Sequence, residues 1–308
     1  MRHRYWVLAA LAFTSLLASS SGAPAWPVLE RHPGNPVIVP QGQGWEGWAT
    51  FNPSVFRDPA NRLVMLYRAQ DKAGVSRFGR ATSTDGLTWT RDPQPVFAPQ
   101  GAQEAGGVED PRVVKIGTQY VLTYTAYDGK GSAKLALATS PDGLAWTRRG
   151  LVFPELPWSK SGAILPTPLN GTYFMYWGDK DLYLATSKDG LTWTRETEAV
   201  LSPRAGMWDS GGVEPGPAPF LTPQGIWLYY NGRDTKNVYG VGAVLFSRGD
   251  PGQALRRTDA PLLKPETPYE LKGTVPNVVF AEGLDVQDGV TRLYYGGGDQ
   301  VVGIVTAK

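Results

Sequence analysis

The stretch best equipped for acid–base chemistry is Gly106-Gly107-Val108-Glu109-Asp110-Pro111-Arg112. It sets two carboxylates and a guanidinium on a turn between two segments of β character. Asp-Pro favours a turn, because the residue before a proline is pushed out of the helical region. The paired glycines let the backbone approach a neighbouring chain or ligand closely. A carboxyl presented this way is what protonation of a sugar oxygen requires, while the same residues also suit a surface turn with an ion pair. Acting as an acid at neutral pH calls for a raised pKa, from burial or a neighbouring carboxylate. Glu109 is adjacent, but alternation along an extended chain points it the other way. Arg112 would lower the pKa on contact, so it is expected to hold the turn or the sugar.

The elements that carry this stretch are repeats. Ala81-Thr-Ser-Thr-Asp-Gly-Leu-Thr-Trp89 returns as Ala138-Thr-Ser-Pro-Asp-Gly-Leu-Ala-Trp146 and as Ala185-Thr-Ser-Lys-Asp-Gly-Leu-Thr-Trp193, with a weaker copy at Val244 to Asp250. Before each copy comes an aromatic strand, with Tyr67, Tyr124, Tyr176, Tyr230 and Tyr295 recurring at blade-like intervals. Asp-Gly supplies the positive φ that a tight hairpin demands, and helical periodicity is hard to find. The pattern predicts an all-β chain, a five-bladed β-propeller over residues 26–308, with a strand from Pro36 to Pro40 completing the last blade. Asp85, Asp142 and Asp189 lie inside the repeat and are read as structural, as are the repeated tryptophans.

Function is expected where the repeat breaks, near the axis. The individual polar segments are Phe51-Asn52-Pro53-Ser54, Tyr67 to Asp71, Ser76-Arg77, Gly107 to Arg112, Ser159 to Ala163, Tyr176 to Asp179, Gly212 to Gly216, and Pro276-Asn277 through Gly283. Such groups meeting around one pocket suit a ligand with many hydroxyls.

In these residues the chain resembles glycoside hydrolase family 130, the mannoside phosphorylases and β-mannosidases. The resemblance is carried by Gly107 to Arg112, Asn52-Pro-Ser54 with Leu66-Tyr-Arg-Ala69, Glu214-Pro-Gly-Pro-Ala-Pro219, Val275-Pro-Asn-Val-Val-Phe280 and Tyr294-Tyr-Gly-Gly-Gly-Asp299. It implies an inverting mechanism on a β-mannoside, β-1,2- or β-1,4-linked, with Asp110 as general acid. It also implies that Asn52, Arg68 and Asp71 line the pocket for the terminal mannose. Arg112, Lys160, Asn277 and Asp299 complete the expected substrate-binding set. Hydrolysis needs a base for water on the opposite face, and Glu214 and Glu282 are both candidates. Phosphorolysis needs a cationic pocket. Family phosphorylases often carry His-Arg where Tyr176-Trp177 stands, Lys near Gly212 and His at Asn231, so hydrolysis is the expectation and phosphorolysis its alternative. Two further readings are a sialidase-like propeller, with Arg68, Arg77 and Arg112 as its cluster, and a carbohydrate-binding propeller without catalysis.

Composition agrees with a neutral partner such as an oligosaccharide. Net charge is +2 without long charge runs, which gives nucleic acid no handle. The chain has no cysteine, and no spaced acidic loop points to a metal, so no cofactor is expected. Residues 1–25 read as a signal peptide, with Arg2-His3-Arg4, an apolar stretch too short to span a bilayer, and Ala23-Pro-Ala25. They predict a secreted or periplasmic protein without a membrane partner once the signal is removed.

Overall fold

The computed structural model of the chain describes residues 25–287 and 289–307, so nearly all of the expected leader lies outside the described residues. Strand β1 (Glu30–Arg31) comes first. Blade one is β2 (Ala49–Arg57), β3 (Leu63–Gln70), β4 (Ser76–Ser83) and β5 (Thr90–Arg91). Blade two is β6 (Gly107–Ile116), β7 (Gln119–Tyr127), β8 (Ala133–Ser140) and β9 (Thr147–Leu151). Blade three is β10 (Gly162–Leu169), β11 (Thr172–Trp177), β12 (Leu182–Ser187) and β13 (Thr194–Leu201). In blade four, β14 (Gly212–Pro215) and β15 (Phe220–Thr222) share the partner β16 (Gly225–Arg233), followed by β17 (Tyr239–Phe246) and β18 (Ala254–Arg257). Blade five is β19 (Val279–Gln287), β20 (Val290–Gly297) and β21 (Val301–Ala307), with β1 as its outer strand. The fold is a five-bladed β-propeller. No helix among the described residues is long and apolar enough to cross a membrane.

The strand added to blade five differs from expectation. Glu30 and Arg31 pair with Thr306 and Val305, whereas in the 36–40 segment only Ile38 forms a bridge, to Val302. Pro36 and Pro40 have no N–H to offer a ladder.

Three Asp-Gly turns are built alike. Asp85 Oδ1 accepts from the backbone N–H of Leu87 and Thr88, each at 2.8 Å, and from Ser83 Oγ at 2.9 Å. Asp142 and Asp189 repeat the arrangement. The backbone donors hold the Asp85 carboxyl down at about 2. These aspartates are structural, as their position in the repeat predicts.

A second repeated device fastens the entering loop of four blades. In blade two Tyr124 donates to Glu104 at 2.7 Å, and Arg148 of the outer strand pairs with Glu104 at 2.7 Å. Tyr67, Glu46 and Arg91 do the same in blade one, Tyr230, Asp209 and Arg257 in blade four, and Tyr295, Glu270 and Arg31 in blade five. Blade three departs from this. Across the ladder Tyr67, Tyr124, Tyr230 and Tyr295 face Gly79, Ala136, Gly242 and Gly303, and the equivalent pair in blade three is Trp177 with Tyr183. Tyr176 is one residue out of register and donates instead to the Pro251 carbonyl.

Burial falls from axis to rim. Strand β2 is buried along all but its last residue, whereas most of β13 is exposed. The innermost strands are edges facing the axis, and they carry what edges tolerate: Pro53, Pro111 and Pro215, and register shifts at Phe51/Pro53, Glu109/Arg112 and Ala281/Gly283.

Candidate active site

Those irregularities build the site. A bulge re-aims the side chain beside it, and Asn52 and Asp110 each sit at one with φ of 45° and 55°. Ser161, Asn277 and Asp299 also have left-handed φ, so among the described residues five of the eight non-glycine residues of this kind lie on axial segments. Such backbone costs of order 1–3 kcal/mol per residue, and its concentration here marks the axis as the place where side-chain direction matters.

Asn52, Arg68, Asp110, Lys160, Glu214 and Asp299 line one hollow of about 200 Å³, with room for about one sugar ring. Asp110 Oδ1 accepts from Asn52 Nδ2 at 2.9 Å and from Arg68 Nη1 at 3.0 Å. Lys160 Nζ stands 3.6 Å from both Asp110 Oδ2 and Glu214 Oε1. Two 3.6 Å contacts in series leave those oxygens at most about 7 Å apart, which reaches the span in which two carboxyls can flank a water. Ser161 Oγ donates to Glu214. Asn52 Oδ1 is buried against Gly296 without a donor.

The electrostatics separate the carboxyls. Burial pushes Asp110 up, but the Arg68 and Lys160 cations and the Asn52 hydrogen bond outweigh it and hold the group well below the usual carboxylate range. In Glu214 burial wins: Lys160 opposes it, the Asp110 charge adds to it, and the carboxyl is raised. Asp299 is raised by burial to about 6, against the pull of Arg68. The raised pKa expected of Asp110 is thus absent, because two cations reach its two oxygens.

Four expected site residues lie elsewhere. Glu282 is on the Ala281/Gly283 bulge and lines a separate cavity of about 190 Å³ with Ser54, Val113 and Phe220. It forms a buried ion pair with Arg112 at 2.7 Å, although neither of its oxygens receives an aligned hydrogen bond. Burial raises its carboxyl well above the ordinary value. Arg112 donates to the Asp110 carbonyl at 3.3 Å, holding its own turn as one of its two expected roles requires, and it ties that turn to blade four through the carbonyls of Pro215 at 2.7 Å and Gly216 at 2.8 Å. Asp71 is not in the lining. Its carboxylate accepts from the N–H groups of Ala73 and Val75 and pairs with Arg77 at 2.8 Å. Asn277 contributes a backbone carbonyl to Tyr239 N–H and does not line the hollow. Glu109 does not point away: the bulge brings it to 2.5 Å from Arg68 Nη2.

Tyr239, Val275, Val278 and Phe280 complete the lining. The valines and Phe280 were inside a motif the sequence singles out, but Tyr239 carried no signal, being one aromatic strand residue among many.

The positions where family phosphorylases carry cations are also placed. Asn231 makes a reciprocal pair of hydrogen bonds with the backbone of Ala281, at 2.7 and 3.0 Å. Gly212 lies under the Arg233 guanidinium, which donates to Asn237 at 3.2 Å and is outside the lining.

A family model described as β-1,4-mannooligosaccharide phosphorylase matches residues 24–308. The chain is 36% identical over 287 residues to a 1,2-β-oligomannan phosphorylase of Thermoanaerobacter sp. (strain X514), covering 90% of this chain and 96% of that one. A crystal structure of a glycosyl hydrolase from Bacteroides ovatus superposes with a TM-score of 0.86 at 35% identity, covering 92% of this chain and 94% of the other. Another, at a TM-score of 0.87 and 34% identity over 92% and 95% of the two chains, was reported under the finding that this family of mannoside phosphorylases contains glycoside hydrolases that target β-1,2-mannosidic linkages in Candida mannan. With its propeller, its axial carboxyl pair and these matches, the chain belongs to glycoside hydrolase family 130.

Proposed function

We propose that this chain cleaves β-mannosides, β-1,2- or β-1,4-linked, with inversion, using water as the acceptor and Asp110 and Glu214 as the acid–base pair. The observation that carries water over phosphate is the charge of the hollow. Three carboxylates, Asp110, Glu214 and Asp299, line it against two cations, Arg68 and Lys160, and both cations are already engaged. An entering phosphate dianion meets like charge there, whereas water does not. A raised Glu214 is suited to the base, since a general base works best poised near the operating pH. Asp110 starts as a carboxylate. It takes up the proton it delivers once sugar hydroxyls have drawn Arg68 and Lys160 away from it. Residues 1–25 make the enzyme an exported one, which sequencing of the mature N-terminus tests.

Phosphorolysis is the second reading, and the curated relatives favour it, since the Thermoanaerobacter protein above is named a phosphorylase. It requires Arg233 or another cation to turn into the hollow.

Two substitutions test the pair, with retention of the fold checked by circular dichroism. Asp110→Asn should lower turnover of β-mannobiose by about 10²- to 10⁴-fold and spare an aryl mannoside with a good leaving group, while Glu214→Gln should slow both alike. The opposite pattern would exchange the two roles, and full activity in either variant would remove it from the mechanism.

A further inference from the structure

The missing fastening of blade three coincides with a second opening. In the other four blades a tyrosine, a buried acid and an outer-strand arginine clamp the entering loop. In blade three Trp177 holds the tyrosine's place, and its buried indole N–H has no acceptor in the protein. Arg195 of the outer strand pairs instead with exposed Glu155, at 3.2 Å. A groove of about 480 Å³ opens where the clamp would be, more than twice the volume of the axial hollow.

Lys160 lines both spaces, so the groove adjoins the hollow across that side chain. Trp158, on the loop before β10, is 45% exposed, and its ring is fixed by a 2.8 Å hydrogen bond from Nε1 to Asp179 Oδ2 on the facing hairpin. Trp177 and Tyr183 sit against each other with ring centroids 5.2 Å apart. Lys180 and Arg195 add donors. Aromatic faces beside fixed polar groups of both signs recognise the apolar ring faces and equatorial hydroxyls of a sugar chain.

We infer that the blade-three groove binds the part of the substrate beyond the cleaved bond, the second and following rings of a β-linked mannan oligosaccharide. The inference rests on the β-mannoside reading above and deepens it. The axial hollow holds about one ring, so a longer chain must leave it, and the route past Lys160 leads over Trp158. The enzyme is then selective for length: each ring seated in the groove adds to binding that a disaccharide cannot use.

The test compares kcat/KM on mannobiose and mannotetraose for wild type, Trp158→Ala and Trp158→Phe, in whichever acceptor buffer supports turnover. Trp158→Ala should lose about tenfold more on the tetrasaccharide than on the disaccharide, and Trp158→Phe should recover most of that difference. Equal losses on the two substrates, or none, would overturn the inference while leaving the β-mannoside reading intact. A wild-type enzyme that cleaves no mannoside refutes the reading instead, and titration of mannotetraose by tryptophan fluorescence then decides the groove alone. Saturable binding that Trp158→Ala weakens upholds it, and no binding ends it.

Discussion

Lys160 is the hinge of the hub's electrostatics, and replacing it with methionine gives a worked consequence. The ammonium stands 3.6 Å from Glu214 Oε1 and 3.6 Å from Asp110 Oδ2, in a site where all three side chains are mostly buried. At an effective dielectric near 20, one such contact contributes about 4–5 kcal/mol, and a pKa moves one unit for each 1.36 kcal/mol. Removing the charge therefore raises Glu214 by at most about three units. The Ser161 hydrogen bond remains and water enters the vacated space, which brings the expected shift to about one to two units. Asp110 moves less, because Arg68 still holds it at 3.0 Å. With Glu214 as base, the acid limb of the kcat/KM profile reports its titration in the free enzyme. That limb should move up by about one to two pH units in Lys160→Met, so the loss of activity is greatest on the acid side of the profile and fades toward alkaline pH. Lys160→Arg keeps the charge and should leave the limb near its wild-type place. A Lys160→Met enzyme with an unshifted acid limb would refute Glu214 as the titrating base.

Other consequences are simpler to state. Asp299 is held at about 6, above the ordinary value near 3.9, so the folded chain binds that proton more tightly than the unfolded chain. The stability tied to it is present below about pH 4 and is lost as pH rises through about 6. Asp299→Asn should flatten the dependence of Tm on pH across that window, and an unchanged slope would contradict the burial argument. Glu270→Ala leaves the Arg31 guanidinium and the Tyr295 hydroxyl without their shared acceptor, which costs about 3–5 kcal/mol. Its Tm should fall by about 6 °C or more, whereas Glu155→Ala, which breaks an exposed pair, should fall by about 2 °C at most.

Much of this architecture was legible in the sequence because turns carry local chemistry. Asp-Gly fixes a hairpin without help from tertiary contacts, so the repeated copies located the blades. What sequence could not supply was direction along the innermost strands. Glu109, Asp110 and Glu282 lie beside bulges, and one extra residue reverses the face a side chain takes. Glu109 therefore joins Arg68 although alternation points it away, and Glu282 turns to Arg112 outside the hollow. Asp71 was misplaced for a different reason. It stands four residues after Tyr67, as Asp128 follows Tyr124 and Asp234 follows Tyr230, and all three cap the same turn through backbone N–H groups two and four residues on. Recognising that repeat would have set Asp71 aside and kept Asp299, which holds the equivalent place after Tyr295 but faces the hollow. Tyr176 shows the limit of counting residues: only the ladder register reveals that Trp177 is the equivalent position.

The most direct measurement is the free mannose formed first from the methyl glycosides of β-1,2- and β-1,4-mannobiose, in which it comes from the cleaved non-reducing ring alone, followed by NMR at the anomeric proton with and without inorganic phosphate. Our account predicts α-mannose released in both buffers at the same rate, with release slowed about 10²- to 10⁴-fold in Asp110→Asn. Mannose 1-phosphate appearing only when phosphate is present would contradict water as the acceptor, and β-mannose as the first product would contradict inversion.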